Sequence, residues 1–342
     1  MDEGGARQSR LAEDVRGGAA FAIYTKTRAP RGKHSARFNS PPARIWEEPP
    51  RVAQFGPPGN RKRWGAAFGK LIDVSDGVLA NSKQTAKTVL DYLAEEGLAR
   101  PVCHFYMGAD FTNAAPQRAR AAIPITPRRE PVVLSVSTIE PRKNYSYALE
   151  LCSLLWSQEF YFRYVIVGNI GWSSTGFVSA MRRHPEFGRR LIHYEGLDDA
   201  RVAELYRGSA CYLSTSLNEG FGLPLMEAFW HGLPALCSDI PIFRETCGAN
   251  ARYLPLQDAG AAAEQLGPFL DASGKRSGGQ ASELWPAPPA LLSWRQSAEH
   301  LFDEIACFHA KGCFRNDARL RDAPADRIAT GHRRQKVLSR PQ

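Results

Sequence analysis

The chain has 342 residues, a length that allows two domains. Its 43% hydrophobic and 23% charged content suits a folded globular protein, and no run of about 18 apolar residues is present to form a spanning helix. The net charge of +9 is carried by the ends: residues 1–68 hold 13 Lys/Arg against 6 Asp/Glu and residues 311–342 hold 9 against 3, which leaves the stretch between them acidic by 4.

Residues 1–68 are rich in Arg, Pro and Gly and show neither a helical nor a strand period, so they are read as an irregular basic segment. Their first residues, Met1-Asp-Glu-Gly-Gly, lack the basic start and apolar core of a signal peptide. Basic ends suit contact with an anionic membrane or nucleic acid. The ends contain no recognisable site motif, so a solvated extension is the favoured reading and no nucleic-acid partner is expected. Residues 69–113 change character. Val78-Leu-Ala reads as a short strand, and Ser82 as the N-cap of a helix to about Glu96 with Val89, Leu90 and Leu93 on one face. Pro101-Val-Cys-His-Phe-Tyr reads as the next strand. Residues 114–130, with Pro116, Pro124 and Pro127, read as a linker.

From 131 the pattern alternates. Strands are expected near 131–136, 162–168, 191–194, 210–214 and 234–238, and helices near 144–157, 199–207, 223–231 and 258–270, with a further helix starting at Ile240. This predicts an α/β fold: a doubly wound, Rossmann-like parallel sheet over 131–290, including a Gly/Ser-rich loop at 272–285. A helix at 291–310 and a basic tail at 311–342 complete the chain. Seven cysteines occur without a C-x-x-C pair, which argues for reduced thiols in a cytoplasmic protein; Cys152, Cys211 and Cys237 are read as core.

The most informative segment is 219–227, Glu-Gly-Phe-Gly-Leu-Pro-Leu-Met-Glu. Gly220 and Gly222 allow a sharp bend and close approach to a ligand, and Pro224 suits the first helical position. A helix opening after glycines offers free N–H groups and a positive dipole end to a phosphate. Glu219 then stands at the mouth of the loop and Glu227 one turn into the helix. An isolated Glu pair is more often plain surface. This pair follows a strand in a β-α-β unit, at the end of the sheet where such folds bind ligands. Arg142 and Lys143 follow an earlier strand and are placed to neutralise a diphosphate; read blandly, they are a solvated helix entry. No Asp-x-Asp motif is present, so no metal and no cofactor are expected.

The run from Ser214 to Pro234 resembles the signature of retaining, nucleotide-sugar-dependent glycosyltransferases of family 4 (glycosyl transferases group 1), which have the GT-B fold. Val132-Val-Leu-Ser-Val-Ser-Thr-Ile-Glu-Pro-Arg-Lys-Asn is similar to their first C-domain strand and phosphate loop. Tyr164-Val-Ile-Val-Gly-Asn-Ile-Gly-Trp resembles the second strand, and His193-Tyr-Glu-Gly-Leu-Asp-Asp resembles the base-binding loop. Four motifs keep family order over roughly 131–270. The resemblance implies that Glu219, Lys143 and Arg142 are catalytic. It implies that Glu227 holds the ribose, that Phe221, Gly222 and Leu223 offer backbone N–H groups to phosphate or sugar oxygens, and that Gly196 and Leu197 line the base pocket. The implied reaction moves a hexose, plausibly mannose, from a nucleotide-diphosphate sugar to a saccharide or lipid-linked acceptor with retention. Its setting would be cell-envelope polysaccharide synthesis, with peripheral contact at the inner membrane face. His231 is read as a surface histidine near a helix C-cap, and Trp172 as either a pocket wall or core. The resemblance reaches only one β-α-β unit of the N-terminal domain, 69–113, so that domain is read as incomplete: a truncated product, a wrongly assigned start or a degenerate member. The competing reading is a remnant that binds the nucleotide sugar without transferring it.

Overall fold

The computed structural model describes residues 21–24, 68, 69, 72, 75, 77–110, 131–275 and 290–311. The N-terminal part contains β1 (Phe21–Tyr24), β2 (Gly77–Ala80), α1 (Lys83–Glu95) and β3 (Val102–His104). Strand β1 pairs antiparallel with β2, and β2 pairs parallel with β3. The segment read as irregular therefore contributes one strand: Phe-Ala-Ile-Tyr, with its aromatic and β-branched residues, suits a pleated surface better than the Arg/Pro-rich sequence around it. Ser82 caps α1 as expected, accepting the Thr85 N–H at 3.0 Å.

The larger part runs β4 (Val132–Val136), α2 (Tyr145–Ser157), β5 (Arg163–Val167), α3 (Thr175–Arg183), β6 (Leu191–Tyr194), α4 (Asp199–Gly208), β7 (Cys211–Ser214), α5 (Leu223–Trp230), β8 (Ala235–Ser238), α6 (Pro241–Cys247), β9 (Arg252–Leu254) and α7 (Ala259–Lys275). Strands β4 to β9 form one sheet in the order β6-β5-β4-β7-β8-β9, with every pair parallel. Alternation along the strands divides the core in two. Leu134, Val165, Tyr212 and Cys237 face one layer, with Val202 and Tyr206 of α4, Leu225 and Phe229 of α5, and Trp294. Val133, Tyr164, Ile166, Cys211 and Leu236 face the other, with Leu151 and Leu155 of α2, Met181 of α3 and Leu266 of α7. Each such side chain contributes roughly 1.5–3 kcal/mol by leaving water, which is why both faces of a parallel sheet must be covered.

Helix α3 and strand β9 fall outside the expected elements. Helix α7 runs on through Gly267 and Pro268 to Lys275, into the stretch read as a Gly/Ser loop. The remainder of that loop, the 114–130 linker and the basic tail beyond Lys311 lie outside the described residues.

Helix α8 (Trp294–Lys311) starts against the end of the N-terminal part. The Trp294 N–H donates to the Asp110 carboxylate, and the Ala109 N–H donates to Leu292 at 2.9 Å. A Cβ on Gly108 would stand 2.4 Å from the Trp294 nitrogen, so this docking requires glycine at 108. Among the described residues no helix is long and apolar enough to cross a membrane.

Candidate active site

Strand β4 comes first in the sheet's sequence order yet lies at its centre. The chain builds outward to β6 on one side and then to β9 on the other. The crevice between the carboxyl ends of β4 and β7 is the switch point, where open α/β sheets bind ligands.

Two loops meet there. After β4, Glu140 leads into a 3-10 turn at Pro141–Lys143, closed by Asn144 in a left-handed conformation (φ 53°). After β7 comes the loop to Gly222. The Thr215 hydroxyl donates to the carbonyls of Lys143 and Asn144, 3.0 Å each, and the Leu217 N–H donates to Arg142 at 2.8 Å. The loops are thus tied through the backbone carbonyls of 142–144 before any charge is counted. The neighbouring loop after β5 lies close against the start of the β4 loop: a Cβ on Gly168 would stand 1.9 Å from the Ser137 carbonyl oxygen.

Glu219 sits where the loops join. Its carboxylate accepts from Arg142 Nη1 at 2.7 Å, Lys143 Nζ at 2.6 Å and the Ser216 hydroxyl at 2.8 Å. Arg142 reaches Glu140 with its other terminal nitrogen at 2.6 Å and donates to the Asn218 carbonyl at 3.2 Å. Burial alone would raise the Glu219 carboxyl, but Lys143 and then Arg142 hold it down at about 2. It is a carboxylate throughout the physiological range. Two cations and two carboxylates therefore form a closed, nearly buried cluster.

Beyond Glu219, Gly222 takes φ 85° and caps α5. An L side chain there would be strained and its Cβ would meet the Phe243 ring at 2.6 Å. Leu223 opens the helix, so Pro224 stands second, a one-residue shift within the first turn where its missing N–H still costs nothing. Phe221 is buried. Glu227 lies one turn into α5, and its Oε2 accepts from the Tyr206 hydroxyl at 3.0 Å. Burial, then the Glu227 charge, push that hydroxyl well above its ordinary value, so Tyr206 stays a donor.

The structure therefore brings Arg142, Lys143 and Glu219 into direct contact and sets Glu227 on the helix that their loop opens. Gly196 (φ 65°, exposed) and the half-buried Leu197 lie after β6, at the same end of the sheet but two strands from the switch point. Glu140, Ser216 and Tyr206 complete the site and were not singled out from sequence. Glu140 and Ser216 stand beside chosen residues. Tyr206 falls within the expected 199–207 helix on its buried face, and its hydroxyl gives no signal in a hydrophobic period.

His231 corrects the sequence reading. It does occupy the C-cap of α5, but it is only 6% exposed and its ring stacks on Tyr206 at 5.4 Å. Burial, then Arg207, lower it from 6.5 to about 4. The folded state holds His231 neutral where the unfolded chain takes up a proton, so stability is expected to fall as pH drops from 6.5 toward 4. Urea unfolding at pH 7 and pH 5 checks this: His231→Phe should lose less stability than the wild type between them.

A parallel α/β sheet with this site at its switch point matches glycosyltransferases of the GT-B fold. Sucrose-phosphate synthase from Thermosynechococcus elongatus superposes with a TM-score of 0.56 at 19% identity, over 76% of this chain and 65% of that one. Anabaena Alr3699/HepE in complex with UDP and glucose superposes with a TM-score of 0.53 at 14% identity, over 72% and 67%. Residues 118–276 match the family described as glycosyl transferases group 1, so this stretch is a glycosyltransferase domain of that group. The serotype-specific mannosyltransferase WbdA of Escherichia coli is 30% identical over 250 residues, 69% of this chain and 29% of that protein. The chain thus spans under a third of the length of the WbdA mannosyltransferases it matches.

Proposed function

We propose that the chain binds a nucleotide-diphosphate sugar at the β4–β7 crevice and transfers its hexose, mannose by kinship with WbdA, to a saccharide or lipid-linked acceptor in cell-envelope polysaccharide synthesis. The carrying observation is the cluster of Arg142, Lys143 and Glu219 at the switch point, with Glu227 one turn into the helix that their loop opens. In this reading Arg142 and Lys143 neutralise the departing diphosphate, with no metal required. The N–H groups of Phe221, Gly222 and Leu223 meet phosphate or sugar oxygens at the start of α5. Glu219 orients the sugar hydroxyls, Glu227 accepts from the ribose, and Gly196 and Leu197 line the base pocket. Retention follows if the leaving phosphate takes the acceptor's proton on the face it departs from.

Before the donor arrives, Lys143 is held by Glu219. Diphosphate oxygens must share or replace that carboxylate. Lys143→Ala is therefore expected to weaken nucleoside diphosphate binding about tenfold, the loss of one charge-assisted contact. Titration calorimetry with GDP- and UDP-sugars, with and without chelator, tests the reading. Binding that survives chelator and falls in Lys143→Ala supports it; binding that needs added manganese overturns the metal-free part.

A second reading is donor binding without transfer: His104 of the N-terminal part is turned edge-on to Tyr106. Transfer needs two facing walls that hold both substrates and exclude water. Sugar transfer measured on the same sample as donor binding separates the two readings.

A further inference from the structure

The signature loop is gripped from the N-terminal part. The hydroxyls of Ser82 and Thr85, at the start of α1, both donate to the carbonyl oxygen of Gly220, at 2.9 and 3.2 Å. Ser82 is fully buried and Thr85 nearly so. The helix that carries them is clamped in turn by Glu245 of α6, whose two carboxylate oxygens accept from the backbone N–H groups of Lys83 at 2.7 Å and Gln84 at 2.8 Å. A carboxylate there satisfies two orphan N–H groups and the positive end of α1 together. Nearby, the rings of Tyr106 and Phe221 meet at 6.2 Å.

Gly220 and Phe221 share one planar trans peptide, in which C=O and N–H point in opposite directions. Holding the Gly220 oxygen toward α1 fixes the direction of the Phe221 N–H away from it. Nothing else in the loop does so as directly. Gly220 has no side chain to restrict its own backbone, and Gly222 two residues on is equally permissive. Two hydroxyls from the start of α1 supply the missing restraint.

We infer that Ser82 and Thr85 are positioning residues for the donor: they preset the Gly220–Phe221 peptide so that the Phe221 N–H meets the diphosphate without reorganisation, and Glu245 keeps their helix in place. The inference rests on the donor reading above. It also gives the N-terminal part a role in donor binding distinct from any in acceptor binding.

The test measures GDP and UDP binding by calorimetry in the full chain, together with the melting temperature. Thr85→Val keeps the shape and removes the hydroxyl. Ser82→Asp keeps a good N-cap acceptor but cannot donate when ionised. Thr85→Ser restores the donor. The Ser82→Asp/Thr85→Val double variant is expected to bind about tenfold more weakly, with Thr85→Val alone intermediate and Thr85→Ser near wild type. A wild type that binds neither nucleotide overturns the donor reading and this inference with it. A wild type that binds, with Thr85→Val and the folded double variant within twofold of it, overturns the inference alone. A loss in Thr85→Val that Thr85→Ser does not recover assigns the effect to packing and also overturns it.

Discussion

Arg142→Met is expected to lower the unfolding free energy by about 3–5 kcal/mol, the cost of leaving buried charge without its partner. Arg142 is almost wholly enclosed, its side chain 4% exposed, and its guanidinium bridges Glu140, Glu219 and the Asn218 carbonyl. Methionine fills much of the volume but supplies no donor. Glu219 would retain Lys143 and Ser216, whereas Glu140 would lose the guanidinium that holds it. The effect is not confined to stability, because the same side chain fixes the cation turn against the carboxylate loop; nucleotide binding should fall in parallel. The sign with pH follows from Glu219. Its carboxyl is held at about 2, below the ordinary 4.5, so the ion cluster stabilises the fold above pH 4.5 and that contribution is lost as pH falls through 2. The variant, lacking one source of that depression, should lose its remaining contribution at a higher pH. Urea unfolding from pH 7 to pH 3 checks both points. A loss below about 1 kcal/mol at pH 7, the range of a surface ion pair, would show that the cluster does not hold the loops together.

Glu227→Gln is expected to cost about 1.5–3 kcal/mol in nucleotide affinity, the value of a hydrogen bond to a charged group. The substitution preserves shape, and an amide oxygen can still accept from Tyr206, so the fold should persist. In the proposed reading, what changes is the strength with which the position accepts from ribose hydroxyls. Tyr206→Phe is the companion: it frees Glu227 Oε2 from its 3.0 Å bond while keeping the ring on His231. If Tyr206 aims the carboxylate, Tyr206→Phe should weaken binding by less than Glu227→Gln, and the two losses should not add. Calorimetric titration with nucleoside diphosphate settles it. Unchanged affinity in Glu227→Gln would remove the ribose assignment.

The sheet was legible because its strands carry short apolar runs between helix starts that announce themselves. The expected strands at 131–136, 191–194 and 234–238 lie within a residue of Val132–Val136, Leu191–Tyr194 and Ala235–Ser238. Strand β9 was missed because Arg252-Tyr-Leu is too short to show a period, and α3 because Thr175-Gly-Phe opens it with poor helix formers. The charged part of the site was legible for a chemical reason: two cations after one strand and a Glu just before two closely spaced glycines after another are unusual arrangements. What could not be read is the contact between distant segments. Nothing local to Ser82 distinguishes an N-cap that only caps from one whose hydroxyl also reaches Gly220, and nothing local to Glu245 shows that it closes on a helix 161 residues earlier.

The central place of β4 also sets an order of assembly. Strands β4, β5 and β6 can pair as they leave the ribosome, but the other edge of β4 stays bare until β7 is made. Arg142 and Glu219 are 77 residues apart in the chain, a loop whose closure costs about 4 kcal/mol of entropy at (3/2)RT ln n. The ion cluster cannot repay that cost until β7 has docked, so the two halves of the crevice join late. A nascent chain halted near residue 210 would carry its cations exposed beside an unpaired apolar strand edge, the kind of surface that seeks a strand from another molecule. The arrangement that puts the site at the middle of the finished sheet thus makes the middle the last seam to close and the first place for misassembly.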